Sequence, residues 1–260
     1  MKNNSINIDN IKIPKDKISV AMAVYEGEKY LSAQLDSILC QLRDYDELII
    51  SYDRSEDSTW DIINDYAARD SRISVFRNPS SGITSNFNNA LKHCTGKYIY
   101  ISDQDDIWIS KKISTVQKYF KKTKADLIIH NGVYTDARLK PISRPFNEIY
   151  RIGDGKIKNI IMPRYSGCCM AFNRRMLKKI YPMPEIHGYD QWIATVCEFC
   201  GHIEYPNEVL ILHRLHGSNA TDLSKSRPLT TIIIMRSLLI YNLIKRLIFT
   251  RFLNHCFHHN

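Results

Sequence analysis

The sequence predicts an α/β fold with a mostly parallel central sheet, and two observations support this. Through the first half of the chain, short apolar runs typical of buried strands alternate with longer segments whose apolar residues recur at helical spacing. Such alternation indicates βαβ units and a sheet covered by helices. In addition, three carboxylates follow one strand run directly, in Asp103-Gln-Asp105-Asp106. Ligands of open α/β sheets bind beyond the carboxyl ends of the strands, which is where this cluster lies.

Strands and helices are predicted in alternating order through the first half. The strand runs are Ile18 to Val24, Glu47 to Tyr52, Ile73 to Phe76, Tyr98 to Ile101, Asp126 to His130, Cys168 to Phe172 and Val209 to His213. The clearest helical patterns, several opened by Ser, Thr or Asp, are Tyr30 to Leu42, Ser58 to Ala68, Thr84 to His93, Lys111 to Lys122, Arg174 to Ile180 and Tyr189 to Phe199. Residues 137–164 contain three prolines and two glycines, which predicts a long irregular connection.

The length and the charge distribution predict one large domain with an appendage. With 260 residues and 44% hydrophobic content, the chain can bury a full core. We divide it into an N-terminal extension (1–16), a main domain (17–222) and a C-terminal tail (223–260). Of the net charge of +9, the tail supplies +6, because it holds six Lys or Arg and no Asp or Glu.

The tail is predicted to form basic amphipathic helices. Its apolar residues recur at helical spacing, but charges interrupt them too often for a membrane-spanning helix. A basic amphipathic helix favours an anionic membrane surface as its partner. A helix packed on its own domain, or on a second copy in a homodimer, is the alternative. We expect no nucleic-acid partner, because the tail contains no recognised binding motif.

The N-terminus and the cysteines bear on location. The first seventeen residues lack the continuous apolar run of a signal peptide, so we expect a cytoplasmic protein, peripheral on the inner face of the cell membrane if the tail binds lipid. The seven cysteines are odd in number and scattered, which fits reduced thiols and no structural disulfide.

The cluster of Asp103, Asp105 and Asp106 repels itself. Crowded carboxylates raise one another's pKa unless a cation or hydrogen bonds compensate. Hard divalent cations take oxygen ligands of this kind, so we predict a divalent metal site here. The alternative is a polar turn in which an Asp caps the next helix, although a cap needs only one Asp.

Several motifs carry a resemblance to a known family. The first half contains Ile18-Ser-Val-Ala-Met-Ala-Val-Tyr25-Glu26-Gly27, then Asp53-Arg-Ser55-Glu-Asp57-Ser-Thr59, then the Asp103 to Asp106 cluster. In this order they resemble the family 2 glycosyltransferases, which are inverting enzymes of the GT-A fold. Three later segments are similar to elements of the rhamnosyltransferase-like branch: Ser166-Gly167-Cys168-Cys169, His187-Gly-Tyr-Asp190-Gln-Trp192 and His213-Arg214-Leu-His216-Gly-Ser-Asn219.

Nucleotide recognition is expected at the ends of the first two strands. The ring of Tyr25 can stack on a pyrimidine there, and the carboxylate of Asp53 can accept a hydrogen bond from the N3–H of the base. The resemblance implies the same roles and adds Glu26 and Asp103 as nucleotide contacts, Asp103 toward the ribose or the metal. The family usually has two adjacent acids at the second position, whereas this chain has Tyr52-Asp53. We expect binding to survive, with the selectivity for ribose and base left open.

The metal and the diphosphate are assigned to two segments. By position in the family motif, Asp105 is the expected ligand of Mg²⁺ or Mn²⁺, which would neutralise the departing diphosphate, and Asp106 supports it. After the last strand, alternation sends Arg214 and His216 to one face. The resemblance implies that Arg214 clamps the diphosphate and that His216 is a further metal ligand. Taken alone, a strand-end His is more often a structural hydrogen-bonding residue.

Asp190 is the expected general base. An inverting transfer needs a carboxylate that removes the proton of the acceptor hydroxyl, and the resemblance implies this role for an acid at the start of a helix. The branch often places a His directly before it, whereas His187 stands three positions upstream here. The alternative is that Asp190 simply caps the helix. Gly167 and Trp192 are assigned to the acceptor side.

The sequence therefore predicts a metal-dependent inverting glycosyltransferase of surface polysaccharide synthesis. Its partners would be a nucleotide-diphosphate sugar and a glycan or lipid-linked glycan acceptor. A non-catalytic nucleotide-sugar-binding or scaffolding protein of a polysaccharide assembly is the alternative. A nucleotidyltransferase is disfavoured because no glycine-rich loop follows the first strand. A zinc finger is disfavoured because the two histidines of Cys197-x2-Cys200-x12-His213-x2-His216 are one residue too close and follow a strand pattern.

Overall fold

The computed structural model describes residues 14–186, 188–216 and 228–257, with side chains as far as residue 249. Most of the N-terminal extension, His187, the Gly217 to Asn219 motif and the boundary at residue 222 lie outside these ranges. The strands are β1 (Ile18–Val24), β2 (Glu47–Tyr52), β3 (Ile73–Arg77), β4 (Tyr98–Ser102), β5 (Ile107–Trp108), β6 (Leu127–Ile129), β7 (Asn131–Thr135), β8 (Met170–Asn173), β9 (Ile203–Glu204) and β10 (Val209–Arg214). The helices are α1 (Leu31–Leu39), α2 (Thr59–Arg69), α3 (Ile83–His93), α4 (Lys112–Thr123), α5 (Phe146–Tyr150), α6 (Lys156–Ile161), α7 (Leu177–Ile180), α8 (Tyr189–Cys200) and α9 (Leu229–Phe257).

The main sheet has seven strands in the order β3-β2-β1-β4-β8-β6-β9. Four of its six pairings are parallel, and β8 runs antiparallel to both β4 and β6. The predicted mostly parallel sheet is therefore confirmed. Strand β1 is buried along almost its whole length, and α3 packs against β1 and β2. This burial explains why its sequence is a continuous apolar run.

Strands β1, β2 and β4 end at one edge of the sheet. Val24 pairs with Tyr52, and Met22 pairs with Ser102. Because all three strands are parallel, the loops that follow them lie side by side. The backbone N–H of Asp53 donates to the carbonyl of Val24 at 2.9 Å, which joins two of these loops directly. The predicted site residues of the first half therefore share one edge.

A second, three-stranded sheet is absent from the sequence prediction. Its order is β5-β10-β7, with β10 antiparallel to β5 and parallel to β7. The predicted strand at Val209 to His213 exists, but it belongs to this second sheet. Strand β5 has only two residues, too few to produce an apolar pattern. Its pairing with β10 brings the chain after residue 208 back to the carboxylate cluster.

Three local predictions need correction. The connection 137–164 was expected to be irregular, yet it contains α5 and α6, which begin directly after Pro145 and Gly155. The expected helix Arg174 to Ile180 is a 3₁₀ turn (Arg174–Met176) followed by the single turn α7. The expected strand Asp126 to His130 is shorter, because β6 covers only Leu127–Ile129. The next strand, β7, begins at Asn131.

Residues 229–257 of the tail form one continuous helix, α9, but the prediction that this helix is amphipathic is wrong. Leu239 and Leu243 are buried on the side that meets α8. The opposite side is also apolar and exposed, with Ile233, Ile234, Leu238, Ile240, Tyr241, Ile244, Ile248 and Phe249. Two cations of the tail face the domain instead: Arg236 donates to the carbonyl of Ile161, and Arg246 donates to the carbonyls of Lys179, Tyr181 and Pro182. Across the ranges that the structure describes, no helix is both long and apolar enough to cross a membrane.

Candidate active site

In the loop after β1, hydrogen bonds fix the backbone of Tyr25 and leave its ring exposed. The Gln104 amide accepts from the Tyr25 N–H at 2.7 Å and donates to the Tyr25 carbonyl at 2.5 Å. Glu26 adopts a φ of +48°, and its N–H donates to Ser55 Oγ at 2.9 Å. The side chain of Tyr25 is 51% exposed, and a hydrogen bond with Glu26 raises its pKa. Its ring can therefore receive a stacking partner without rearrangement of the loop.

The loop after β2 holds a nearly buried carboxylate, Asp53. The Asn78 side-chain amide donates to one of its oxygens at 2.5 Å, and the N–H of Gly82 donates to the other at 3.0 Å. Gly82 has a φ of +97°, which an L side chain would strain. The neighbouring Tyr52, which stands where the family usually has the first of two adjacent acids, packs its ring against Trp60 with centroids 5.0 Å apart. Tyr52 is thus a packing residue at this position.

Asp103 and Asp105, after β4, have different partners. The Tyr189 hydroxyl donates to Asp103 Oδ1 at 3.1 Å, whereas Asp105 Oδ2 lies 2.9 Å from His216 Nε2. Burial, and then the negative groups nearby, raise the pKa of both carboxyl groups. A bound cation would favour their ionised forms.

Asp106 lies in a buried layer behind these two acids. Its Oδ1 lies 2.8 Å from His213 Nδ1, while its Oδ2 is buried with no hydrogen-bond partner among the described residues. Cys168 Sγ lies 3.7 Å from the same His213 nitrogen. Lys112, fully buried, donates to the Cys168 carbonyl at 2.8 Å and lies 4.0 Å from the centre of the Trp108 ring. Burial lowers the pKa of Lys112 to about 8.

Two groups of side chains in this region could hold a metal ion. Potential ligand atoms of Asp106, Cys168 and His213 lie within 4.8 Å of one another. Burial lowers the pKa of His213, but the negative charges of Asp106 and Cys168 outweigh it and hold that pKa well above its usual value. The positive charges of His213 and of the neighbouring Lys112 already compensate the negative charges of this group. A divalent ion would have to displace them. Asp105 with His216 offers a carboxylate and an imidazole in a less buried position. The carboxylate suits Mg²⁺ or Mn²⁺, and the imidazole favours Mn²⁺ of the two.

Arg214 and His216 meet at the same acid. The Arg214 guanidinium donates to the carbonyl of Asp105 at 3.0 Å and to that of Ala137 at 2.7 Å. The ring of Tyr30 lies under it, 4.4 Å from its central carbon and 4.7 Å from the His216 ring. Arg214 thereby positions the main chain of Asp105, and His216 contacts its carboxylate.

Asp190 lies in the first turn of α8, where its Oδ1 accepts from the N–H of Gln191 at 2.7 Å. The residue before it, Tyr189, packs its ring on Gly167. A Cβ at Gly167 would lie 2.1 Å from the phenolic oxygen, so only glycine admits the ring. Sequence reasoning missed Tyr189, although its place between two singled-out residues was a usable signal.

The two acceptor-side predictions do not match the arrangement found. Trp192 is 1% exposed, and its indole N–H donates to the carbonyl of Ile180 at 2.9 Å. Gly167 is buried beneath Tyr189. Proximity in sequence to Asp190 does not tell which side of a helix a residue occupies. Both residues therefore support α8 from the core and present no surface to an acceptor.

The cysteines and histidines whose spacing imitates a zinc finger have other roles in the structure. Cys197 is buried in α8, whereas His213 and His216 contact Asp106 and Asp105. Six cysteines with described side chains are free thiols: Cys40, Cys94, Cys168, Cys169, Cys197 and Cys200.

Sequence comparison identifies the family. The model of the family described as "Glycosyl transferase family 2" matches residues 19–181. The chain belongs to glycosyl transferase family 2. This transferase is 36% identical, over 120 residues, to the UDP-Glc:alpha-D-GlcNAc-diphosphoundecaprenol beta-1,3-glucosyltransferase WfaP of Escherichia coli, with 46% of this chain and 47% of WfaP covered. The chain spans 17 to 67% of the length of the curated relatives it matches.

Solved structures share the fold of this transferase. Staphylococcus aureus TarS 1–349 in complex with UDP-GlcNAc has a TM-score of 0.67 at 17% identity, covering 87% of this chain and 67% of that one. Mannosyltransferase PcManGT from Pyrobaculum calidifontis, in complex with GDP-Man and Mn²⁺, has a TM-score of 0.62 at 18% identity, covering 79% and 59%. The predicted GT-A fold and family 2 membership are confirmed. The rhamnosyltransferase-like branch stays a prediction.

Proposed function

We propose that the transferase moves a sugar from a nucleotide-diphosphate donor to an acceptor hydroxyl, with inversion and with Mg²⁺ or Mn²⁺ bound. One observation carries the proposal: the Tyr189 hydroxyl donates to Asp103, so the helix that bears Asp190 is attached to the carboxylates at the sheet edge. This contact supports an arrangement in which a base and a donor site face each other.

The donor nucleotide would bind along the loops after β1 and β2. Tyr25 would stack on the base, and Asp53 would accept a hydrogen bond from its N3–H. The donors from Asn78 and Gly82 orient the Asp53 carboxylate, and each oxygen keeps a second lone pair for the base. Glu26 and Asp103 would contact the ribose side. The structures of TarS with UDP-GlcNAc and of PcManGT with GDP-Man support a nucleotide sugar as the ligand class.

Asp105 and His216 would hold the divalent cation. Their facing atoms are 2.9 Å apart, and both groups are common metal ligands. When bound, the ion neutralises charge that develops on the leaving diphosphate. Arg214, fixed over the main chain of Asp105, would add a positive charge on the same side. Asp106 would support this segment through its contact with His213.

Asp190 would remove the proton of the acceptor hydroxyl. The oxygen then attacks the anomeric carbon from the face opposite the diphosphate, the bond from that carbon to the diphosphate oxygen breaks, and the nucleoside diphosphate leaves with its electron pair. The N–H of Gln191 orients the Asp190 carboxylate for this task. Asp190 sits in a helical first turn, where the peptide dipoles stabilise its ionised form.

For the acceptor, we propose a glycan or lipid-linked glycan of a surface polysaccharide. WfaP is named for transfer to a sugar carried on diphosphoundecaprenol, and this supports the class. For the sugar moved, the sequence prediction is a hexose or a deoxyhexose, and rhamnose is indicated by the branch resemblance alone. Peripheral association with the inner face of the cell membrane also stays a prediction. Arg236 and Arg246 would not make that contact, because they face the domain.

A panel of UDP-, GDP- and dTDP-sugars incubated with the protein and Mn²⁺ tests the proposal. We expect one donor to release nucleoside diphosphate, and we expect EDTA or Asp105→Ala to stop the release. Asp190→Asn should abolish transfer to an acceptor. Asp44→Asn, which changes an exposed acid before β2 at the opposite edge of the sheet, serves as the matched control. Tight donor binding without release in any condition would favour the non-catalytic alternative.

A further inference from the structure

The outer side of α9 exposes a row of large apolar side chains. Eight of them are 40 to 64% exposed: Ile233, Ile234, Leu238, Ile240, Tyr241, Ile244, Ile248 and Phe249. Three more belong to α6 and the residue after it: Ile157 near its start is 75% exposed, Ile161 at its end 62% and Met162 64%. Arg236 Nε donates to the Ile161 carbonyl at 3.4 Å and so joins the two helices. An apolar surface of this extent marks a site that another body covers.

A basic cavity borders the second half of α9. Its volume is about 690 Å³ and no carboxylate lines it. Five basic residues line it, Lys15, Lys97, Arg174, Arg175 and Lys178, and of these Arg175 is paired with Asp126. Tyr181 also lines the cavity, and its carbonyl accepts from Arg246 of α9 at 3.0 Å. One end of the apolar helix therefore adjoins a concentration of positive charge.

Charge decides between two bodies that could cover this surface. Residues 229–257 contain no Asp or Glu, so α9 of a second copy would offer no carboxylate to the outward-facing Lys245 or to the cations of the cavity. A bilayer accepts apolar side chains in its interfacial region, and anionic headgroups complement the cavity. Lys245, exposed on the outer side of α9, can extend its ammonium to the headgroups while its stem stays apolar.

We propose that α6 and α9 insert their exposed apolar side chains into a lipid bilayer whose anionic headgroups occupy the basic cavity. The binding then has two separable parts. The helices supply the apolar part. Lys15 of the N-terminal extension, together with Lys97 and Lys178 of the main domain, supplies the electrostatic part. The sequence expectation assigned both parts to the tail.

The same surface reaches the acceptor side of the site. Arg236 Nη1 donates to Gln191 Oε1 at 2.6 Å, and the N–H of Gln191 donates to Asp190. A bilayer along α9 therefore lies beside the residue proposed as the base, as a lipid-linked acceptor requires. This last step rests on the proposed function, whereas the docking itself does not.

Co-sedimentation of the full chain with vesicles tests the docking. We use vesicles of phosphatidylcholine alone and of phosphatidylcholine mixed with phosphatidylglycerol. The wild-type chain should bind both, should prefer the mixed vesicles, and should lose that preference at high salt. Ile244→Gln with Ile248→Gln should weaken binding to both vesicles by about a hundredfold. Lys97→Gln with Lys178→Gln should weaken binding to the mixed vesicles alone, by about thirtyfold.

Matched controls come from the exposed turn after β7. Ile142→Gln removes an apolar side chain that is 55% exposed, and Arg138→Gln with Lys140→Gln removes two charges. Both should bind vesicles as the wild type does. Thermal melting checks that every variant is folded. Nucleotide-sugar hydrolysis should be unchanged in the docking variants, so a failure of the docking is distinguishable from a failure of the proposed function.

Two outcomes would overturn the proposal. One is a wild-type chain that ignores both kinds of vesicle. The other is a chain that sediments as a dimer in free solution and becomes monomeric in the Ile244→Gln, Ile248→Gln variant, which would assign the apolar surface to a second copy.

Discussion

His216 Nε2 lies 2.9 Å from Asp105 Oδ2, although 111 positions separate the two residues in the sequence. The second sheet creates this contact, because β10 pairs with β5, which begins two residues after Asp105. Arg214, at the end of β10, holds the Asp105 carbonyl in the same place. The second sheet, which the sequence pattern does not predict, thus completes the candidate metal site.

Loss of either residue should weaken metal binding. Replacing a group that only supports a metal ligand commonly lowers affinity ten- to a hundredfold, so removal of a direct ligand should do at least as much. We expect Mn²⁺ affinity, measured by calorimetry with the nucleoside diphosphate present, to fall about tenfold in His216→Ala and about a hundredfold in Asp105→Asn. His202→Ala, an exposed histidine paired with Glu204, should leave it unchanged. Unchanged affinity in Asp105→Asn and His216→Ala would contradict the assignment.

Tyr25 should contribute to nucleotide binding through its ring. Stacking of a base on an aromatic side chain is worth about 1–3 kcal/mol, and the Tyr25 ring is 51% exposed on a fixed backbone. We therefore expect Tyr25→Ala to weaken nucleoside diphosphate binding by roughly tenfold to a hundredfold in a calorimetric titration. Tyr45→Ala removes a tyrosine that is 38% exposed in the loop before β2, and it should bind as the wild type does. Equal affinities of the two variants would exclude stacking on Tyr25.

The sequence predicted the donor edge well for a physical reason. Strands β1, β2 and β4 are buried, so each leaves an apolar run, and parallel strands must end together. The polar residue that follows each run, such as Asp53 or Asp103, was therefore identifiable from its position alone.

Other parts of the site leave no such pattern. Lys112 and Cys168 occupy ordinary positions in a helix and a 3₁₀ turn, and only the folded chain brings them to Asp106. Trp192 was misplaced because helical spacing does not say which side faces the core. The same ambiguity affected α9, whose arginines turn inward to bind backbone carbonyls.

Lys112 should make stability depend on pH in the alkaline range. Its pKa in the folded chain is about 8, lowered by burial, whereas an unfolded chain gives about 10.4. Between these values the unfolded state binds more protons, so the free energy of unfolding rises with pH. Relative to Lys112→Met, the wild type should gain up to about 3 kcal/mol between pH 8 and pH 10.5 in urea unfolding.

An exposed lysine of the same helix serves as the control for this titration. Lys118→Met should keep a constant stability difference from the wild type across the same pH range. Parallel stability curves for the wild type and Lys112→Met would show that the buried amine titrates as it does in the unfolded chain.

Gly167 and Tyr189 should act as one unit in catalysis. Tyr189→Phe removes the hydrogen bond to Asp103, so we expect kcat to fall by about tenfold, as for the loss of a bond worth about 1.5 kcal/mol, with donor affinity nearly unchanged. Gly167→Ala would put a Cβ 2.1 Å from the Tyr189 hydroxyl oxygen, so it should displace the ring, lower kcat at least as far and destabilise the fold by about 1–3 kcal/mol. Gly153→Ala, whose Cβ would meet nothing within 4 Å, is the matched control for both readouts. Wild-type kcat and stability in Gly167→Ala would refute the coupling, because the ring could not then rest on this glycine.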